Sequence, residues 1–133
     1  MAIKVANTPA EGFKYIPMRE KGEQNPFTVW IRPIGTRDLL HLEDMIVSRK
    51  EDPEGNSVHY SQGIFAFHLV QQGLLKWDNI EGADGKPLDL KFEDGVAAAD
   101  SVAYIPAEYL IEISAVISSI TRDPANIQIF ISE

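Results

Sequence analysis

Apolar and polar residues alternate in two short stretches near the start of the chain. In residues 13–17, Phe13 and Tyr15 flank Lys14 and Ile16-Pro17 follows, which predicts a short strand ended by proline. Residues 27–32 carry the pattern more strongly: Phe27, Val29 and Ile31 share one face, and Thr28, Trp30 and Arg32 the other. Trp30 on that second face predicts that it too is partly covered, with the indole in the sheet core. Between the two strands, residues 18–25 are charged and run through Gly22 and Asn25 to Pro26, a loop.

Beyond Pro33 and Gly35 the period becomes helical. Thr36 is a natural N-cap, and Asp38 falls in the first turn, where a carboxylate complements the positive helix end. Leu39, Leu40, Leu42, Met45, Ile46 and Val47 recur at helical spacing to about Arg49, and Arg49-Lys50 suits the negative end. Residues 51–56 form a polar loop. A second helix over residues 60–75 places Ile64, Phe65, Phe67, Leu69, Val70, Leu74 and Leu75 around much of its circumference, as a central bundle helix does. Gly63 and Gly73 each weaken it by about 1 kcal/mol against alanine unless packing requires them. A third helix opens at Pro106 with Glu108 in its first turn. Leu110, Ile113, Ile117 and Ile120 form its stripe, Ile111 and Val116 broaden it, and Asp123-Pro124 stops it.

Between these helices, residues 77–90 read as a hairpin or irregular loop. Asp84-Gly85 supplies its turn, because glycine accepts positive φ without steric cost. Residues 78–100 hold seven acids and two lysines and read as a short helix or a mobile segment. Residues 127–131, Ile-Gln-Ile-Phe-Ile, read as a last strand or arm. Together the elements predict one α+β domain over residues 13–121, a small antiparallel sheet packed with about three helices. A flexible N-terminal arm (1–12) precedes it and a C-terminal strand or arm (122–133) follows.

Composition narrows the function. The 133 residues fit one domain, large enough to bury roughly 65–70% of its unfolded surface. No apolar run reaches the roughly 18 residues of a membrane helix, and the first residues lack the apolar length of a secretory signal. Cysteine is absent, which removes disulfides, thiolate ligands and thiol nucleophiles and fits a cytoplasmic protein. The net charge of −8 is lopsided: residues 1–50 carry eight Lys/Arg against six Asp/Glu, and the rest four against fourteen. Direct binding to nucleic acid is therefore not expected, since phosphates must be neutralised by cations. The acidic half reads first as a solvated surface and second as a means of steering the chain to a basic partner.

Catalytic patterns are missing. His41, His59 and His68 match no metal spacing; His41 and His68 read as structural, hydrogen-bonded histidines within apolar helical stretches, and His59 as exposed. Asp78, Glu81 and Asp84 cluster, but Ile80 occupies a position where a calcium loop needs an oxygen ligand, so turn chemistry is preferred. Ser114, Ser118 and Ser119 lack a nucleophile elbow, and Gly82-Ala83-Asp84-Gly85 lacks the spacing and the Lys-Ser/Thr of a phosphate loop. The chain is read as non-enzymatic, with no metal or cofactor. Trp77 either caps the core or anchors a partner, tryptophan being enriched in binding hot spots. Trp77, Ile80 and Phe92 are the candidate partner-binding residues, joined by Ile127, Ile129 and Ile131 if the last segment pairs with a partner's sheet edge.

Several segments, in order, resemble the tail assembly chaperones of tailed bacteriophages. They are Phe13-x-Tyr15-Ile16-Pro17, a strand ending in Arg32-Pro33, and a Thr36-led helix containing Asp44. Leu74-x-x-Trp77-Asp78-Asn79-Ile80 follows, then Asp84-Gly85-Lys86-Pro87-Leu88 and Ile105-Pro106-x-Glu108-x-Leu110. The resemblance covers most of residues 13–120. It implies a cytoplasmic, non-enzymatic role in the infected host: binding the tape-measure protein, helping to recruit the tail-tube protein, and leaving the finished particle. The apolar segment at 127–131 departs from the polar tail the resemblance implies. Two other readings stand beside it: a tail or neck structural protein of the virion whose terminal arms interlock subunits, as a homo-oligomer, and an acidic inhibitor of host defence.

Overall fold

The strand predicted at residues 27–32 is β2 (Thr28–Ile31), the centre of a three-stranded antiparallel sheet. β1 (Phe13–Tyr15) pairs along one side and β3 (Leu74–Asp78) along the other. This computed structural model describes the backbone of residues 8–49 and 57–130, and the side chains of residues 8–44 and 63–130. The arm at residues 1–7, the loop at 51–56, Lys50 and Ile131 lie outside the described residues, as do the side chains of Met45, Ile46, Val47, Arg49 and His59.

Strand alternation sorts the sheet into two faces. Tyr15, Val29 and Trp77 stand side by side across the three strands, and all are buried. The next row, Lys14–Trp30–Lys76, faces outward. Trp30 is half-buried there, and its cover is the Lys76 ammonium, 4.5 Å from the ring centroid, rather than the sheet core predicted for it. A bulge at Leu75 sets Ile31 opposite Leu74 while Trp30 stays opposite Lys76.

Three long helices pack with the sheet: α1 (Thr36–Arg49), α2 (Ser57–Gly73) and α4 (Ala107–Arg122). α2 lies between α1 and α4, the central position its apolar circumference predicts. The shorter elements are β4 (Phe92–Glu93), β5 (Val96–Ala97), α3 (Ala99–Val102) and α5 (Ile127–Phe130), with 3-10 turns at Met18–Glu20 and Pro124–Asn126. Val29, Ile31, Leu69, Val70, Leu74, Ile113, Ile117 and Ile120 form the centre of the core.

Four predictions are corrected. α2 ends at Gly73, and Leu74-Leu75 open β3 instead of closing a helix. A Cβ at Gly73 would lie 2.7 Å from Ile117 Cδ1, so any side chain there forces a shift, and its carbonyl accepts the Arg32 N–H at 2.9 Å as the chain enters the sheet. Ile111 and Leu40, assigned to buried stripes, are 61% and 54% exposed. Ile111 lies about 200° around α4 from Ile113, on the side away from the core. His41 is exposed on α1 rather than set among apolar neighbours. Finally, residues 127–130 are helical, not a strand: Asp123 accepts the Ala125 N–H at 3.0 Å, starting the turn at Pro124, and Ile127 and Phe130 pack on the core at helical i, i+3 spacing.

The charged loop after β1 is fastened to α4 by polar contacts. Tyr15 Oη donates to the Glu112 carboxylate, which also accepts the Met18 N–H at 2.9 Å. Arg19 pairs with Glu108. Glu20 accepts the Phe27 N–H and the Tyr109 hydroxyl, both at 2.8 Å, and the Phe27 and Tyr109 rings stack 5.9 Å apart. Those two hydrogen bonds hold the Glu20 carboxyl below its ordinary range. Burial, then the hydrogen bond and charge of Glu112, push the Tyr15 phenol well above its own.

Candidate functional site

Residues 78–100 form two tight turns, a strand pair and the start of α3; the first turn agrees with the hairpin or irregular loop expected over residues 77–90, and the strand pair takes the place of the short helix or mobile segment. In the first turn, Glu81 bridges to Pro87 around residues 82–85. Gly85 donates to the Gly82 carbonyl at 3.0 Å and takes φ +78°, as expected for this Asp-Gly. The Asp84 carboxylate accepts the Lys86 N–H at 3.0 Å, so this acid is spent on the turn. Asp78, Glu81 and Asp84 are all exposed, and among the described residues no three His, Asp or Glu side chains gather as a metal site.

The second turn joins β4 to β5. Asp94 and Gly95 both have positive φ, 52° and 82°, the two-residue arrangement whose twist matches an antiparallel pair. This second Asp-Gly is the signal that would have located the hairpin in the sequence. Backbone and side-chain bonds fix it to the body of the protein. Ala98 N–H donates to the Lys91 carbonyl at 2.8 Å, Lys91 N–H to the buried Ser101 hydroxyl at 3.0 Å, and Gln71 of α2 to the Ala97 carbonyl at 2.9 Å.

Between this hairpin, residues 87–91 and α3 lies a cleft of about 480 Å³. Phe92 and Tyr104 line it and are 47% and 55% exposed, although large aromatic rings in small domains are usually consumed by the core. Asp89, Glu93 and Asp100 stand around them against a single cation, Lys91. The groove is acidic-rimmed and presents two exposed aromatic rings.

The candidate partner-binding residues are not brought to one surface. Phe92 is in the cleft. Trp77 is only 6% exposed, inside the core behind it, and donates from Nε1 to the Leu88 carbonyl at 2.8 Å. It supports the cleft wall and is buried, which agrees with its reading as a core cap and not with that of an anchor. Ile80 is half-buried against the core, and its carbonyl accepts the Leu88 N–H at 3.0 Å. Ile127 packs on the core, Ile129 is 73% exposed on α5, and Ile131 lies outside the described residues. With residues 127–130 helical, they offer no strand for edge pairing. Tyr104 was not a sequence candidate: it stands among apolar residues beside Ile105-Pro106, a context that reads as core. No described helix is long and apolar enough to cross a membrane. Comparison of the chain with protein-family models, curated proteins and solved structures gives no match in any of the three.

Proposed function

We propose that this chain is a non-enzymatic assembly chaperone of the tailed-phage kind, one that holds a helical client through the Phe92–Tyr104 cleft. The observation that carries the reading is the pair of exposed aromatic rings on an acidic-rimmed groove, fixed to the core by Trp77 and Gln71. A chaperone for a long helical protein needs weak, repeatable apolar contacts and high solubility. Two rings supply the contacts, and a net charge of −8 supplies the solubility. The ordered resemblance over residues 13–120 adds the client class: the tape-measure protein, with the tail-tube protein recruited afterwards, in the cytoplasm of the infected host.

The test is binding of purified chain to segments of a tailed-phage tape-measure protein, by calorimetry. Phe92→Ser and Tyr104→Ser are expected to weaken binding roughly tenfold each, since an aromatic anchor at an interface carries about 1–2 kcal/mol or more. No binding by the unaltered chain would refute the proposal. Mass spectrometry of virions beside infected-cell lysate checks the cellular part: abundance in lysate with absence from particles is expected, whereas a fixed copy number in particles would make the chain a structural component.

A further inference from the structure

α4 has a second organised face. Opposite its buried stripe of Ile113, Val116, Ile117 and Ile120, the residues Glu108, Ile111, Ala115, Ser118 and Arg122 follow one another at spacings of three, four, three and four. These five positions form one strip along the helix, so a single partner helix could meet them together. Ile111 is 61% exposed within it, and Met18, 65% exposed, is held at its flank by the N–H it donates to Glu112, the residue after Ile111. Ala115 at the middle leaves room for another backbone to approach. The charges are placed symmetrically: Glu108 and Arg122 lie seven residues to either side of Ala115.

We propose that α4 pairs antiparallel with α4 of a second copy of this chain, about a two-fold axis through Ala115. An isologous interface requires that a surface complement itself under that rotation. Here the rotation sets Glu108 against Arg122 of the other copy, twice, and lays each Ile111 over the small residues Ser118 and Ser119 of its counterpart. The existing ion pairs are compatible with this. Arg19–Glu108 and Arg122–Glu43 are exposed, and pairing would join them into two chains of alternating charge, Arg19–Glu108–Arg122–Glu43, each running across the interface. The occupant is a second copy because no other partner is required to carry the mirror order of charges. One pair of 16-residue helices covers less than the ~800 Å² per partner of a standard interface, so the dimer is weak and depends on concentration. This proposal does not rest on the function proposed above.

The chain has no cysteine, so Ala115→Cys introduces a single thiol at the axis. Mild oxidation is expected to give a covalent dimer in high yield, because two Cβ atoms roughly 4 Å apart can be bridged. Ala83→Cys, on the exposed turn at residues 82–85, is expected to give little. Sedimentation velocity of the unaltered chain should show a monomer–dimer equilibrium. Ile111→Arg should abolish it while leaving the far-UV circular dichroism unchanged, the site being exposed. Glu108→Arg and Arg122→Glu should each weaken the dimer roughly tenfold. An equimolar mixture of those two variants should recover it, since each arginine again meets a glutamate. An unaltered chain that stays monomeric at millimolar concentration would overturn the proposal. So would a dimer indifferent to Ile111→Arg, a mixture that fails to recover, or equal cross-linking by the two cysteine variants.

Discussion

Glu112 and Glu20 help to close the structure, Glu112 by accepting two donors remote in sequence and Glu20 by accepting one remote and one nearby. Glu112 takes the Tyr15 hydroxyl and the Met18 N–H; Glu20 takes the Tyr109 hydroxyl and the Phe27 N–H. These bonds give stability a dependence on pH at both extremes. The folded-state pKa of Glu20 is lowered, first by the Phe27 N–H and then by Tyr109. Its stabilisation is therefore present above the unfolded value, complete by about pH 5, and lost as the pH falls through the lowered one. Tyr15 has the opposite sense. Its pKa is raised above the ordinary 10.0, by burial first and by Glu112 second, so its stabilisation is present below that value and declines as the pH rises past it. Urea unfolding across pH should show Glu20→Gln flattening the acid limb and Tyr15→Phe flattening the alkaline limb. At neutral pH, Tyr15→Phe should cost about 1–2 kcal/mol, the worth of a hydrogen bond to a charged acceptor that keeps its other donor.

Elements were legible in the sequence where one periodicity had no competitor. The strands at residues 13–15 and 28–31 show a period of two bounded by prolines, and α4 shows an apolar stripe between Pro106 and Asp123-Pro124. Legibility failed where two readings shared the same residues. Ile127-Gln128-Ile129-Phe130 alternates like a strand, but Ile127 and Phe130 also stand three apart, and the turn that Asp123 and Pro124 begin selects the helix. Leu74-Leu75 continues the apolar face of α2, so the pattern alone runs on past the true end. What decides the end is Gly73, whose missing side chain lets α2 sit against Ile117 while its carbonyl receives Arg32. The cleft was legible only in part. Phe92 is among the sequence candidates, whereas the buried state of Trp77 and the exposure of Tyr104 depend on tertiary packing that no local pattern encodes. Gly73→Ala tests this account of the α2–β3 junction. The added methyl would lie 2.7 and 2.9 Å from two carbons of Ile117 and 3.1 Å from the Arg32 carbonyl. Despite alanine's better helix propensity, the variant should lose about 1–3 kcal/mol in chemical denaturation, because overpacking outweighs propensity here.

Across the whole molecule, the two compositional halves do not correspond to two structural ones. β1, β2, α1 and the 3-10 turn at Met18–Glu20 come from the first fifty residues, which are slightly basic; the remaining described elements come from the acidic remainder. Yet the sheet takes β3 from the second part to complete β1 and β2 from the first, and the core joins Val29 and Ile31 to Leu74 and Ile117. Both ion pairs, Arg19–Glu108 and Arg122–Glu43, also cross between the parts. Exposed pairs of this kind contribute about 0–1 kcal/mol each, so the shared core rather than the charge asymmetry holds the parts together. Because one core and one sheet draw on both parts, unfolding is expected to be a single cooperative event. Trp77 is the natural reporter, since it is in the core between β2 and the cleft wall, and Trp30→Phe leaves it as the sole indole. In that variant, thermal unfolding followed by Trp77 fluorescence and by far-UV circular dichroism should give coincident transitions. Phe92→Ser made in the same background should leave the midpoint nearly unchanged, because that ring is largely exposed. A Trp77 transition that preceded the loss of helix would instead mean that the cleft and sheet open as a separate unit, and Phe92 would then report on a movable wall rather than on a fixed one.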